Sequence, residues 1–87
     1  MKNNHTLSVE FDKTKETVII HADQNGLKYL AKLFTELETK ISNGIPDHIH
    51  LMTPEWGGNE LVIGKGLQGV PINHLEIMGW PDNEDQI

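Results

Sequence analysis

The sequence predicts an α+β protein: a two-layer sandwich in which one helix packs on a mostly antiparallel sheet, with the element order β-β-α-β-β-β. Three observations predict this class. The apolar residues of residues 24–43 recur with the period of a helix. On both sides of this segment, apolar and polar residues alternate as they do in strands. The chain has 87 residues, the length of one domain. One amphipathic helix covers only one face of a sheet, so two layers follow.

The first two strands are predicted as an antiparallel hairpin. Residues 6–11 alternate, with every second residue from Leu7 to Phe11 apolar and the others polar. Residues 12–15 form a short polar turn, and residues 16–21 form a second strand rich in β-branched side chains. Two such segments joined by a short turn favour pairing with each other.

The helix is predicted over residues 24–43. Asp23 stands where its carboxylate can accept hydrogen bonds from the first amides of a helix. The apolar residues at helical spacing are Leu27, Leu30, Ala31, Phe34, Leu37 and Ile41. Gly44 permits the left-handed conformation that ends many helices, and Pro46 prevents continuation.

The second half of the chain is predicted to supply three more strands, at residues 47–53, 60–63 and 72–79. Residues 54–59 are a turn-rich connection, and residues 64–71 are predicted as a glycine-rich loop. This loop contains the pattern G-x-G-x-x-G. Because an extended segment follows it rather than a helix, the pattern does not predict nucleotide binding.

One face of the sheet is predicted to have no cover. We expect the helix to cover the apolar side chains of the strands, which include Leu7, Val9, Ile49, Leu51, Leu75 and Ile77. By the period of two, the open face then carries Thr6, Ser8, Glu10, His48, His50, Met52, His74, Glu76 and Met78. We expect the function of the chain at this open face.

Composition restricts the class of protein. The chain has no cysteine, which excludes disulfides, thiol catalysis and cysteine-ligated zinc. The N-terminal segment lacks the apolar stretch of a secretory leader, and no apolar run is long enough to cross a membrane. We therefore expect a cytoplasmic protein with one domain over residues 1–87 and an ordered core at about residues 5–80.

The charge of the chain points to a protein partner. Thirteen acidic and seven basic residues give a formal net charge of −6, and all seven basic residues are lysines. Phosphate binding needs a basic surface, usually with arginine, so we expect no binding to nucleic acid. Because no apolar run is long enough to cross a membrane, we expect no membrane partner either. An acidic domain attracts basic protein surfaces. The alternative is that the charge only keeps the protein dissolved.

His48 and His50 are the first candidates for chemistry. At positions i and i+2 of a strand they project to the same side, a spacing that suits zinc chelation. His74 and Glu76 share the predicted open face and would complete the set if their strand is adjacent. The alternative is that these histidines are exposed and hydrogen-bond their neighbours or a protein partner.

Trp56 lies in the turn-rich connection and is followed by Gly57 and Gly58. It either plugs the end of the core or stands exposed as an anchor, since exposed tryptophan is a frequent interface hot spot. The two glycines indicate that the backbone of this loop has a fixed shape, without indicating its purpose.

Residues 50–61 read His-Leu-Met-Thr-Pro-Glu-Trp-Gly-Gly-Asn-Glu-Leu. This string resembles the signature of immunity protein family 32, small bacterial proteins encoded beside polymorphic toxin genes. The resemblance implies an α+β protein that binds and neutralises a cognate toxin, and the toxins of such systems are often nucleases. The characteristic positions of the family fall on His50 and Trp56, together with His48.

These observations predict a small acidic immunity protein that occludes the active surface of a nuclease-type toxin, not an enzyme, with no cofactor. The predicted partner-binding residues are His48, His50, Glu55, Trp56, Glu60, His74 and Glu76, with Glu10 as a further carboxylate. The alternative is a metal-binding domain or metal-dependent enzyme that uses His48, His50, His74 and Glu76. A further alternative is that the open face closes by self-association into a homodimer.

Overall fold

The computed structural model describes residues 5–63 and 69–82. Within these ranges it contains five strands, one α-helix and one 3-10 turn. In chain order they are β1 (Leu7–Asp12), β2 (Thr17–Ala22), α1 (Gln24–Ser42), β3 (Asp47–Met52), the 3-10 turn (Pro54–Trp56), β4 (Val70–Ile72) and β5 (His74–Gly79). The predicted α+β class and element order are confirmed. No helix among the described residues combines the length and the apolar character needed to cross a membrane.

The first hairpin forms as predicted. β1 and β2 pair antiparallel over their whole length, with Leu7 opposite Ala22. Asp12 closes the turn, because its carboxylate accepts hydrogen bonds from the Thr14 hydroxyl at 2.8 Å and the Thr14 amide at 3.1 Å. The hydrogen bond from the hydroxyl is the main reason why the pKa of Asp12 lies below its usual value.

Helix α1 begins at the predicted cap. The Asp23 carboxylate accepts hydrogen bonds from the Gly26 amide at 2.7 Å and from the Thr6 amide at 3.0 Å. The Asp23 amide in turn donates to the Thr6 carbonyl at 3.2 Å, so the cap ties the helix to the chain entering β1. A Cβ on Gly26 would collide with the Thr6 carbonyl, so glycine permits this approach. The helix ends at Ser42, and Gly44 takes the left-handed conformation with φ +79°.

The strands divide into two antiparallel sheets, one of order β2-β1-β4 and one made of β3 and β5. Asn73 alone separates β4 from β5. The predicted strand at residues 60–63 is wrong. The Leu61 amide donates to Met52 and the Val62 amide donates to Leu7, so the segment bridges the two sheets without pairing along either.

The predicted loop at residues 64–71 is wrong at its end, since Val70 and Pro71 belong to β4. This short strand pairs antiparallel with β1, with Val70 opposite Phe11. The rest of that loop, residues 64–68, lies outside the described residues.

The core lies between α1 and the two sheets. Its buried members are Leu7, Val9, Leu30, Leu51 and Leu61. Leu61 is fully inaccessible to solvent. The segment that bridges the two sheets therefore contributes to the core, although it does not form the strand predicted at residues 60–63. On α1, Leu30 and Leu37 are buried, whereas Leu27 and Phe34 of the predicted apolar stripe are exposed.

The reverse face of β1 is covered by the chain itself, which corrects the predicted open face. Ser8 and Glu10 have only 2% and 0% of their surface exposed. The Glu10 carboxylate lies 2.5 Å from Nε2 of His21 and accepts a hydrogen bond from the Gly69 amide at 2.7 Å. Glu10 therefore joins β1, β2 and the segment that enters β4. Its predicted use as a carboxylate for a partner is wrong, because it is buried and internally bonded.

We expect Glu10→Ala to lower the free energy of unfolding by about 3 kcal/mol, because it leaves the Gly69 amide without its acceptor and His21 without its partner inside the fold. Glu10→Gln keeps an acceptor of nearly the same shape and should lose less. Urea unfolding followed by circular dichroism measures both changes. If Glu10→Ala unfolds at the urea concentration of the wild-type protein, Glu10 does not hold the three segments together.

The Asp23 cap predicts a pH dependence of stability. The amides of Thr6 and Gly26 hold the pKa of Asp23 below its usual value. An aspartate in the unfolded chain titrates near pH ~3.9. The ionised carboxylate therefore contributes stability above about pH 4, and this contribution is lost as the pH falls through the lower, folded pKa.

We expect Asp23→Asn to lose less stability on acidification than the wild-type protein, because asparagine still caps a helix but does not titrate. Urea unfolding at a series of pH values from about 5 to about 2 measures the difference. Parallel losses in the two proteins would mean that Asp23 contributes nothing to the acid sensitivity.

Candidate functional site

The pairing of β3 with β5 brings four of the predicted site residues, His48, His50, His74 and Glu76, onto one face. The facing pairs are His48 with Met78, His50 with Glu76, and Met52 with His74. Directly opposite residues in an antiparallel pair project to the same side. We call these six residues the histidine face. For these two strands, the prediction of a shared face is confirmed.

The opposite side of the same strands is apolar. Ile49 faces Ile77 and Leu51 faces Leu75, and Leu51 is buried in the core. A shift of one residue in either strand would turn its histidines toward the core. Burial of these apolar pairs therefore determines where the histidines lie.

His50 is the centre of the histidine face. Its Nδ1 lies 2.7 Å from Nε2 of His74, and the two rings stack with centroids 4.9 Å apart. Its other ring nitrogen, Nε2, lies 3.8 Å from Oε2 of Glu76. The ring of His48 meets that of His50 edge-on, with centroids 4.7 Å apart. Three imidazoles and one carboxylate therefore form a continuous cluster.

Three members of this cluster are arranged so that they could share an ion. One ligand atom from each of His48, His50 and Glu76 lies within 4.8 Å of the other two, and all three residues are exposed. His74 is not one of these three residues, and its Nε2 lies against Nδ1 of His50. Four residues were predicted for a metal site. The structure brings three of them together as candidate ligands, and the fourth, His74, contacts the His50 ring.

Trp56 borders the histidine face. Its side chain is 58% exposed, so it does not plug the core. Its ring centroid lies 6.1 Å from that of His74. The turn that carries it starts after Thr53, whose hydroxyl donates to the side-chain oxygen of Asn73 at 2.6 Å and whose amide donates to the Asn73 carbonyl at 3.0 Å. The tryptophan loop is thus fastened to the residue that precedes β5.

The two glycines after Trp56 have separate structural reasons. Gly57 is left-handed, with φ +93°, and a Cβ there would meet nothing within 4 Å. A Cβ on Gly58 would lie 2.6 Å from the carbonyl oxygen of Met52. The Gly58 amide donates to the Thr53 carbonyl at 3.0 Å, so this close approach belongs to the fold of the loop. The predicted fixed backbone shape is confirmed.

The remaining predicted carboxylates differ in their surroundings. Glu60 is half-buried, and its Oε1 accepts hydrogen bonds from the amides of Met52 at 3.0 Å and Asn59 at 3.4 Å. Its carboxylate therefore shapes the loop. Glu55 is exposed on the turn beside Trp56, and Glu76 is exposed on the histidine face.

Sequence reasoning missed the pair formed by Thr53 and Asn73, which positions the tryptophan loop. These residues are 20 positions apart and come together only because β3 pairs with β5. It also missed the support behind the loop, where the ring of His5 stacks on Tyr29 at 4.6 Å and its Nε2 contacts the Glu60 carbonyl at 3.0 Å. Burial raises the pKa of Tyr29. No local sequence pattern indicates either contact.

The two glycines give a paired prediction. We expect Gly57→Ala to cost about 1–2 kcal/mol, the penalty of a left-handed alanine, with the loop in place. We expect Gly58→Ala to displace the loop, because its methyl group would overlap the Met52 carbonyl. Tryptophan fluorescence in a Trp80→Phe background, which leaves Trp56 as the reporter, measures the displacement. The same emission spectrum from both glycine variants would contradict this difference.

Comparison with known proteins assigns the chain to a family. A family model described as immunity protein 32 matches residues 17–85. The match includes α1, all of the histidine face and Trp56. Searches among curated proteins and among solved structures gave no match.

Proposed function

The chain belongs to the immunity protein 32 family, and we propose that it binds a cognate toxin and neutralises it by covering the active surface of that toxin. The observation that carries the proposal is Trp56, an exposed aromatic side chain on an internally bonded loop beside the histidine face. Family membership supports a protective role, and this surface supplies the place where a partner can dock.

The surface has the composition of a binding site. Trp56 and Met78 are 58% and 50% exposed, and such apolar side chains gain free energy when a partner excludes water from them. Tryptophan is also enriched among the residues that dominate interface energies. The hydrogen bonds from Thr53 to Asn73 restrict the loop before binding, which reduces the conformational entropy lost on association.

Charge supports a nuclease as the target. A nuclease has a basic active surface, because it must bind phosphates. The chain carries a net charge of −6, and Glu55 and Glu76 are exposed on or beside the proposed surface. Carboxylates there can occupy the places of substrate phosphates, and the net charge accelerates the encounter with a basic protein.

Co-expression tests the proposal. The chain is expressed together with the toxin domain encoded by the adjacent gene, and cell growth is compared with that of cells expressing the toxin alone. We expect restored growth, a complex of the two purified proteins, and less nucleic-acid cleavage by the toxin in the presence of the chain. Absence of both growth rescue and a complex would contradict the proposal. Rescue without any cleavage activity in the free toxin would contradict the nuclease assignment. Light scattering of the free chain tests the alternative of a homodimer, which would cover the same face.

We expect Trp56→Ala to weaken toxin binding by about 2 kcal/mol or more, which is about 30-fold in Kd, with little change in melting temperature. The reason is that Trp56 is exposed and contributes little to the core. Calorimetric titration and thermal unfolding measure the two quantities.

Trp80→Ala is the matched control for this prediction. Trp80 is also exposed, at 46%, but it follows β5 and is not part of the histidine face. We expect its replacement to leave the affinity unchanged. If Trp80→Ala weakens binding and Trp56→Ala does not, the toxin docks elsewhere on the chain. If Trp56→Ala melts the protein at a much lower temperature, the residue is structural.

A further inference from the structure

We propose that the histidine face binds a divalent transition-metal ion, Zn²⁺ in the first instance, through His48, His50 and Glu76, with His74 as a positioning residue. This inference goes beyond toxin binding and does not depend on it. It concerns the free protein and rests on the geometry of β3 and β5.

The separations between the three side chains suit a single ion. Nitrogen and oxygen ligands lie about 2.0–2.2 Å from Zn²⁺, so tetrahedral neighbours are about 3.4 Å apart. In the structure the ligand atoms lie within 4.8 Å of one another. Nε2 of His50 and Oε2 of Glu76 are 3.8 Å apart, which exceeds the length of a hydrogen bond and approaches the separation of two ligands. Small rotations of these exposed side chains close the remaining distance.

The hydrogen bond between His50 and His74 supports the same assignment. Nδ1 of His50 and Nε2 of His74 lie 2.7 Å apart, so one of the two nitrogens donates a proton to the other. When His50 donates this proton, its Nε2 carries a free lone pair on the side of Glu76. Histidines that bind metals commonly donate their other ring proton to a neighbouring acceptor, which fixes the tautomer and the orientation of the ring. In the tautomer in which His50 donates, Nε2 of His74 is that acceptor.

The chemistry of the donors selects the ion. Two imidazoles and one carboxylate suit Zn²⁺ and Co²⁺, whereas Mg²⁺ prefers oxygen ligands. Three protein ligands leave one tetrahedral position for water or for a side chain of a bound protein. All three ligands are exposed, so an ion reaches the site without any opening of the fold.

Calorimetric titration of the free chain, purified without a histidine tag, tests the proposal with Zn²⁺. Co²⁺ serves as a spectroscopic probe, because its visible absorption reports coordination geometry. We expect one ion per chain, a tetrahedral Co²⁺ spectrum, and no comparable binding of Mg²⁺. We expect His48→Ala and Glu76→Gln each to remove this binding while circular dichroism stays that of the wild-type protein.

Two further variants separate ligands from neighbours. His74→Phe keeps a ring stacked on His50 but removes the acceptor, and we expect it to weaken Zn²⁺ binding by about 10–100-fold without changing the melting temperature. His5→Gln is the control, because His5 stacks on Tyr29 and is not one of the six residues of the histidine face. We expect it to bind Zn²⁺ as the wild-type protein does.

The proposal is overturned if Zn²⁺ shows no saturable binding, or if His48→Ala and Glu76→Gln bind it as tightly as the wild-type protein. If His74→Phe binds Zn²⁺ as tightly as the wild-type protein does, His74 has no positioning role. The toxin is not part of these measurements. A negative result here therefore leaves toxin neutralisation untouched, and a failure of growth rescue leaves the metal site untouched.

Discussion

The register of β3 against β5 is the constraint on which the candidate site depends. Leu51 lies opposite Leu75 on the apolar side, and His50 lies opposite Glu76 on the other side. Because side chains alternate along a strand, burying one set of pairs determines the position of the other set. The cluster of imidazoles therefore needs no interaction of its own to be assembled. The hydrophobic effect at Leu51, which is 1% exposed, brings the cluster together.

Local patterns predicted the elements, and the limits of those patterns explain the errors. Alternation and helical spacing located the first hairpin, α1 and its Asp23 cap, since each depends on residues close together in sequence. The alternation of apolar and polar residues also assigned the side chains of β1 to its two faces. It carries no information on which segment of the chain covers each face. Ser8 and Glu10 were therefore expected in solvent, whereas Glu10 is closed in by contacts with His21 and Gly69.

In the candidate site, too, local patterns predicted some features, whereas contacts between distant residues determined the others. The shared face of His48 and His50 follows from their spacing alone. The contact between His50 and His74 joins residues 24 positions apart, and only strand adjacency creates it. The sequence also did not determine whether Trp56 is buried or exposed, because the same turn could direct an aromatic ring inward or outward. Hydrogen bonds from Thr53 to Asn73 hold the turn beside the outer face of β5, where the ring remains exposed.

Two pairs of histidine and glutamate show how burial decides the use of the same chemistry. Glu10 and His21 lie 2.5 Å apart, with the carboxylate excluded from solvent, so removing His21 takes a hydrogen-bond partner from a buried polar group. His50 and Glu76 lie 3.8 Å apart with both side chains 40% exposed. Water can replace each partner at that surface, so this pair contributes little to stability. The exposed pair is therefore the one available to a ligand.

The two proposed uses of the histidine face meet at Glu76. An ion bound there would neutralise the carboxylate and add positive charge to the surface that we propose for a basic toxin. It would also offer one open coordination position to that toxin. The added positive charge opposes docking of a basic toxin. The open coordination position favours docking if the toxin supplies a ligand. Linkage requires that the factor by which the ion changes toxin affinity equals the factor by which the toxin changes ion affinity. Glu55, beside Trp56 and outside the set of candidate ligands, keeps its charge in both states and can attract a basic partner with or without the ion.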